Sequence, residues 1–143
     1  MKLEKHVEDL IALLKDVRKE PSPAVVGFAY STAAIHIFSI VFHDELDPGR
    51  MIKHDDFRSE RDIRKLKSLI RDFDKKDELF LLWKEMENKR NELCYGYPKE
   101  EDIKEYTAKF YKIKEILENI SDLKFEIDFL EKYLAKIKGG KNE

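Results

Sequence analysis

From Lys2 to Lys19 the apolar residues Leu3, Val7, Leu10, Ile11, Leu14 and Val17 recur at three- and four-residue steps between charged positions. That spacing lines one face of an α-helix. Glu20-Pro21-Ser22-Pro23 interrupts the pattern, and Ser22 is placed to cap a second helix with Pro23 at its first position, where a missing N–H costs nothing. This helix is expected to run to about Glu45 and to close on Asp47-Pro48-Gly49, with 50–57 a solvated loop carrying His54, Asp55 and Asp56. Ser59, with Asp62 three residues on, opens a third helix through about Phe73, with Ile63, Leu66, Leu69 and Ile70 on its apolar face. A fourth begins near Asp77 and buries Phe80, Leu81, Trp83, Met86 or Glu87, Leu93 and Cys94, which puts the charged Arg90 close to an apolar stripe. Gly96-Tyr97-Pro98 ends it, and the acidic turn Lys99-Glu100-Glu101-Asp102 starts a fifth helix reaching about Asn119. Ser121-Asp122 is expected to cap a last helix with Leu123, Ile127, Leu130, Leu134 and Ile137 in near-heptad spacing, released at Gly139-Gly140 into a polar tail.

Strand signals are nearly missing, and the pattern predicts an all-α, up-and-down bundle of five to six helices over residues 1–138, with a tail at 139–143. Residues 24–42 carry no charge and are apolar enough to raise the alternative of a membrane span. Against it, Thr32, His36, Ser39 and His43 fall at steps of four, three and four, a polar line on one face that a lone span has no use for. The amphipathic neighbours also need a central apolar helix to cover their faces. A bundle centre without membrane contact is therefore expected, and its surplus apolar surface suits a homodimer.

A length of 143 residues fits one domain. With 42% hydrophobic and 41% charged residues the chain can bury a core, which excludes disordered and collagen-like classes. Twenty-eight basic against 30 acidic residues give a formal charge of -2, so no global basic field attracts nucleic acid and any phosphate contact must be local. A single cysteine, Cys94, allows no intrachain disulfide and no paired-cysteine zinc site; a reducing, cytoplasmic location is expected. The absence of glutamine beside abundant Lys and Glu points to a thermophilic source.

Most chemical motifs are missing. There is no glycine-rich phosphate loop, no GxSxG elbow and no HExxH. His36 and His43 are two helical turns apart, about 10 Å, too far to share a metal as an i, i+4 pair does. No metal and no cofactor are expected. The informative stretch is Lys89-Arg90-Asn91-Glu92-Leu93-Cys94-Tyr95-Gly96-Tyr97. Arg90 offers a planar five-donor fork suited to phosphate, Asn91 can orient a polar group, and Tyr95 and Tyr97 can stack or hydrogen-bond. The plainer reading makes Arg90 a salt bridge that locks the bundle, with the tyrosines as packing.

At these residues the chain resembles the HEPN superfamily, small all-helical domains frequent in toxin–antitoxin and nucleotidyltransferase-linked systems. The matching features are a long helix ending in Arg90-Asn91, an aromatic and glycine exit, and a following amphipathic helix such as Tyr106 to Leu117. The small-residue-rich run Phe28 to Ala34 also looks like the central helix of these domains. The likeness covers roughly residues 3–117, and its specific part is about 90–97. Many HEPN ribonucleases carry an arginine followed a few residues later by a histidine. Here four intervening residues lead from Arg90 to Tyr95 and six lead to Tyr97, and no histidine follows. A phenol with an ordinary pKa near 10 is a poor general base beside an imidazole near 6.5.

The resemblance thus implies a homodimeric binding module that contacts nucleic acid or nucleotide phosphate through Arg90, Asn91, Tyr95 and Tyr97. A metal-independent ribonuclease toxin is the alternative, with Arg90, Asn91 and Tyr95 as its catalytic candidates, His36 as a second proton carrier, and an antitoxin or nucleotidyltransferase as partner. A protein-interaction adaptor is the third reading.

Overall fold

A computed structural model describes residues 2–46 and 51–141, with side chains through residue 139; the expected turn at 47–49 lies outside the described residues. Among the described residues the chain forms six α-helices and no strand: α1 (Leu3–Lys19), α2 (Pro23–Val41), α3 (Glu60–Leu69), α4 (Lys76–Tyr95), α5 (Glu100–Ser121) and α6 (Ile127–Lys141). The all-α bundle is as expected.

Local chemistry sets several of the boundaries. The Ser22 hydroxyl accepts from Val25 N at 3.4 Å and caps α2 behind Pro23. Ser59 Oγ accepts from Asp62 N at 3.1 Å to cap α3. At α5, Lys99 N donates to Asp102 Oδ2 at 2.9 Å, so the acidic first turn satisfies a backbone donor as well as the helix dipole.

Four expectations differ. Helix α2 stops at Val41 and not near Glu45, because Phe42 leaves helical geometry and turns into the core, where it stacks on Phe73. Helix α3 ends at Leu69, not Phe73: Lys76 reaches back from α4 to donate to the carbonyls of Lys67 at 2.8 Å and Ile70 at 3.0 Å, satisfying acceptors that a longer helix would have used. Ser121 closes α5 instead of opening α6, its hydroxyl donating to Leu117 O at 2.7 Å, and Asp122 follows in the left-handed conformation with φ 59°. Helix α6 starts only at Ile127 and runs through Gly139-Gly140 to Lys141.

The contacts between helices fix an up-and-down order. His6 of α1 meets His36 of α2, Gly27 of α2 lies against Leu93 and Cys94 of α4 while Phe38 meets Trp83, and Lys89 of α4 pairs with Asp102 of α5. Lys138 of α6 reaches Glu8 of α1. By length and composition α2 alone among the described helices is apolar enough to cross a membrane, yet most of it is buried, enclosed by α1, α4 and α5. Its apolar character is that of the bundle centre. The core gathers around an aromatic cluster in which Phe57 stacks on Trp83 with centroids 4.1 Å apart and Phe38 meets both rings edge-on.

The close approach of α2 and α4 depends on Gly27. A Cβ there would stand 3.0 Å from Leu93 Cβ and 3.0 Å from Cys94 Sγ, so only a residue without a side chain lets the two backbones meet at this level. The result is that the C-terminal turns of α4, with Arg90, are held tightly against the start of α2.

Candidate functional site

Helix α4 presents one charged face to the interior. Glu87, almost without solvent contact, is a carboxylate within the core, and Arg90 follows one turn later, half-buried. Among the described residues Arg90 forms no ion pair, and its buried Nε has no hydrogen-bond partner. The salt-bridge reading of Arg90 therefore finds no bridge here. Lys89 takes up the nearby acids instead, lying 2.9 Å from Asp102 and 3.3 Å from Glu105. These carboxylates hold the Lys89 ammonium above its ordinary pKa.

The rest of the expected site faces solvent. Asn91 is exposed, and Tyr95 and Tyr97 project from the helix exit at 82% and 103% exposure. Arg90, Asn91, Tyr95 and Tyr97 thus share one end of the bundle, with the arginine rooted inside and the aromatic rings outside. Leu81, expected in the core face of this helix, is 58% exposed, because Leu79 and Phe80 take the inward positions. Cys94 is partly buried, which raises its thiol above the ordinary value although the Arg90 charge works against this.

Two features next to this end were not legible from motif spacing. The first is a buried polar chain. Tyr106 of α5 donates to Gly27 O at 2.7 Å, and one turn further along α2 Ser31 Oγ lies 3.4 Å from His54 Nδ1, which in turn meets Glu87 Oε1 at 3.0 Å. Burial pushes the Tyr106 phenol far above its ordinary pKa, so it stays a neutral donor. His54 was expected in a solvated loop; the short 3-10 turn His54–Phe57 instead packs on α3 and α4 and turns the imidazole inward, while Asp55 pairs with Arg58 and Asp56 accepts from Lys53 N. A histidine does reach the neighbourhood of Arg90, from upstream in the chain.

The second is a cavity of about 250 Å³ between α1, α2 and residues 51–54, with His6, Asp9, Thr32, His36, Ser39 and His54 among its lining. The expected polar line on α2 is now explained: Thr32, His36 and Ser39 face this cavity, whereas His43 is exposed beside Asp44. His6, which periodicity places simply on a polar helix face, meets His36 Nδ1 to Nδ1 at 2.9 Å. Burial, and next the His36 ring, lower the His6 pKa to about 4. Burial lowers His36 as well. Among the described residues no group of three or more His, Cys, Asp or Glu has the geometry to hold a metal ion.

No family model matches the chain, and no solved structure matches it. Among curated proteins, the ATP-dependent DNA helicase II subunit 1 of Saccharomyces cerevisiae is 27% identical over 104 residues, a stretch covering 73% of this chain and 16% of the yeast protein. The chain therefore spans only a small part of that relative.

Proposed function

We propose that this chain is a HEPN-like binding module that grips a phosphate of RNA or of a nucleotide through Arg90. The observation that carries the reading is the half-buried, unbridged guanidinium: holding an arginine there without a carboxylate costs desolvation that an anionic ligand would offset. Tyr95 and Tyr97 stand beside it as exposed stacking surfaces, and Asn91 adds an orienting amide. The acidic start of α5, neutralised in part by Lys89, disfavours a long track of phosphates, so the site suits one or two nucleotides and not a duplex. A homodimer would place two such ends in one particle. The test is fluorescence anisotropy with a 5′-labelled single-stranded RNA: binding that weakens at least tenfold in Arg90→Ala and falls steeply with salt supports the reading, and unchanged binding removes it.

The ribonuclease alternative is favoured by one observation, the His54–Glu87 pair a single helical turn from Arg90. Glu87 fixes the ring through Nδ1 and leaves Nε2 free to move a proton, the arrangement general-base catalysis needs. In this reading Arg90 stabilises the developing phosphorane charge, and His54 replaces both Tyr95 and His36 as the proton carrier. RNA cleavage in the presence of EDTA, lost in His54→Gln, is its test.

A further inference from the structure

We propose that the outer face of α3 is a docking surface for the phosphate backbone of a nucleic acid, with Arg61, Arg64 and Lys65 as its contacts. The inference concerns a different helix from the Arg90 reading and stands apart from it. Residues 58–71 carry six cations against Glu60 and Asp62 alone, in a chain whose formal charge is -2. A local excess of this kind attracts polyanions even where the whole protein does not. Three of the six cations are used within the fold: Lys67 pairs with Asp77, Arg71 pairs with Glu45 while lying over the Phe42 ring, and Arg58 meets Asp55 at 2.7 Å. Arg61, Arg64 and Lys65 remain. With Ser68 they fall at steps of three, one and three, which places them on one side of the helix.

The acids that could cancel these charges are engaged elsewhere. Glu60 is bound by Lys84 at 2.9 Å, a contact that holds its carboxyl below the ordinary range. Asp62 accepts from Ser59 Oγ at 2.8 Å and stands 3.7 Å from the exposed Arg61 guanidinium, too far for a hydrogen bond. Among the described residues Arg64 and Lys65 form no ion pair. The composition of the face then selects the partner. Leu66 and Ile70 turn inward, and every exposed residue of α3 is charged or serine, so the face has no apolar anchor around which a protein interface forms and no apolar side to sink into a membrane. Two of the three free cations are arginines, whose planar fork takes a phosphate through two hydrogen bonds. Arg61 and Lys65 are four residues apart, about 6 Å along the axis, so the charges follow a strand better than a single small anion. Contacts of this kind hold the backbone and read no sequence.

Fluorescence anisotropy with a labelled oligouridylate over a range of salt concentrations tests this in protein carrying Arg90→Ala, so that the Arg90 site contributes nothing to the result and holds or fails by itself. The added changes are Arg61→Gln, Arg64→Gln and Lys65→Gln together, all on an exposed face and all keeping helix propensity. The slope of log affinity against log salt should flatten by about 2, three contacts at roughly 0.7 each. Oligothymidylate of the same length should bind within about threefold of the RNA, since phosphates are held and neither bases nor 2′-hydroxyls are read. A control with Lys124→Gln, Lys132→Gln and Lys136→Gln loses the same net charge from α6 and the turn before it, and should keep its slope. An equal loss in the control would make the effect one of net charge and overturn the proposal. An unchanged slope in the α3 variant, no oligonucleotide bound in the Arg90→Ala background, or polyglutamate or phosphatidylserine vesicles bound as tightly as the oligonucleotide would overturn it also.

Discussion

Glu87 and His54 stand 3.0 Å apart, Oε1 to Nδ1, with the carboxylate fully inside the protein and the imidazole 24% exposed. The contact joins the middle of α4 to a segment 33 residues earlier, and it is the only hydrogen bond that either carboxylate oxygen makes among the described groups. Removing one partner of a buried polar pair leaves the other uncompensated. His54→Ala is therefore expected to lower stability by roughly 3–5 kcal/mol, and Glu87→Gln, which keeps an acceptor for Nδ1, by only about 1–2 kcal/mol. Urea denaturation distinguishes them. Equal losses would mean that Glu87 is held by its surroundings and not by the histidine.

Gly27 is the point where α2 and α4 are closest, and an added methyl would meet Leu93 Cβ, an atom fixed to the helix backbone. Gly27→Ala gains up to about 1 kcal/mol in helix propensity. Overpacking costs roughly 1–3 kcal/mol and wins here, because neither Cβ atom can swing away. A net destabilisation is expected by thermal melting. Adding Cys94→Ala should recover part of it, since the Sγ contact can be removed while the Leu93 contact stays.

Burial of His6, and next the His36 ring beside it, makes stability depend on pH in a definite direction. His6 titrates at about 4 in the folded chain against an ordinary 6.5, so the unfolded chain takes up the proton first. The stabilisation is complete above about pH 6.5 and is lost as pH falls toward 4, with no further loss from this group below that. Lys5 and Asp9 of α1, His43 of α2 and His54 across the cavity also bear on these rings. Carboxylates titrate in the same range, so the quantity to measure is the difference from His6→Asn. That variant should show a flatter decline between pH 6.5 and 4; an identical decline would mean that the pair does not titrate as described.

The helix order was legible because it rests on features local to the sequence: apolar steps of three and four along α1, Ser22 and Ser59 as caps, Pro23 at a first turn. Of the ends that differ from the sequence reading, that of α3 is met by an atom of the next helix, Lys76 reaching its last carbonyls, whereas that of α5 rests on the local contact of Ser121 with Leu117 O. The same distinction separates the two candidate sites. Arg90, Asn91, Tyr95 and Tyr97 are neighbours in the chain and could be read as a motif. His6 and His36 are 30 residues apart, and His54 and Glu87 are 33, so their meeting depends on the register between elements, which no one-dimensional spacing records. The surplus of polar residues on the most apolar helix, Thr32, His36 and Ser39, was the one visible trace of the cavity.

Arg90 separates the proposed functions most directly. With no ion pair to break among the described residues, Arg90→Ala is expected to change stability by about 1 kcal/mol or less, the scale of an exposed charge and not of a buried bridge. For a domain of this size that moves the midpoint by only a few degrees. RNA binding should fall at least tenfold at the same time. Tyr95→His is the companion variant, since at 82% exposure the exchange disturbs no packing and restores an arginine-to-histidine spacing. Metal-independent cleavage that appears only in Tyr95→His would mean a site that binds RNA but lacks its base. Cleavage by the unmodified protein that disappears in both Arg90→Ala and His54→Gln would instead sink the non-enzymatic reading, and assign the proton transfer to the histidine held by Glu87. A large loss of stability in Arg90→Ala with no RNA bound by the unmodified protein would leave the bundle as a protein-interaction adaptor, with Tyr95 and Tyr97 as its contact surface.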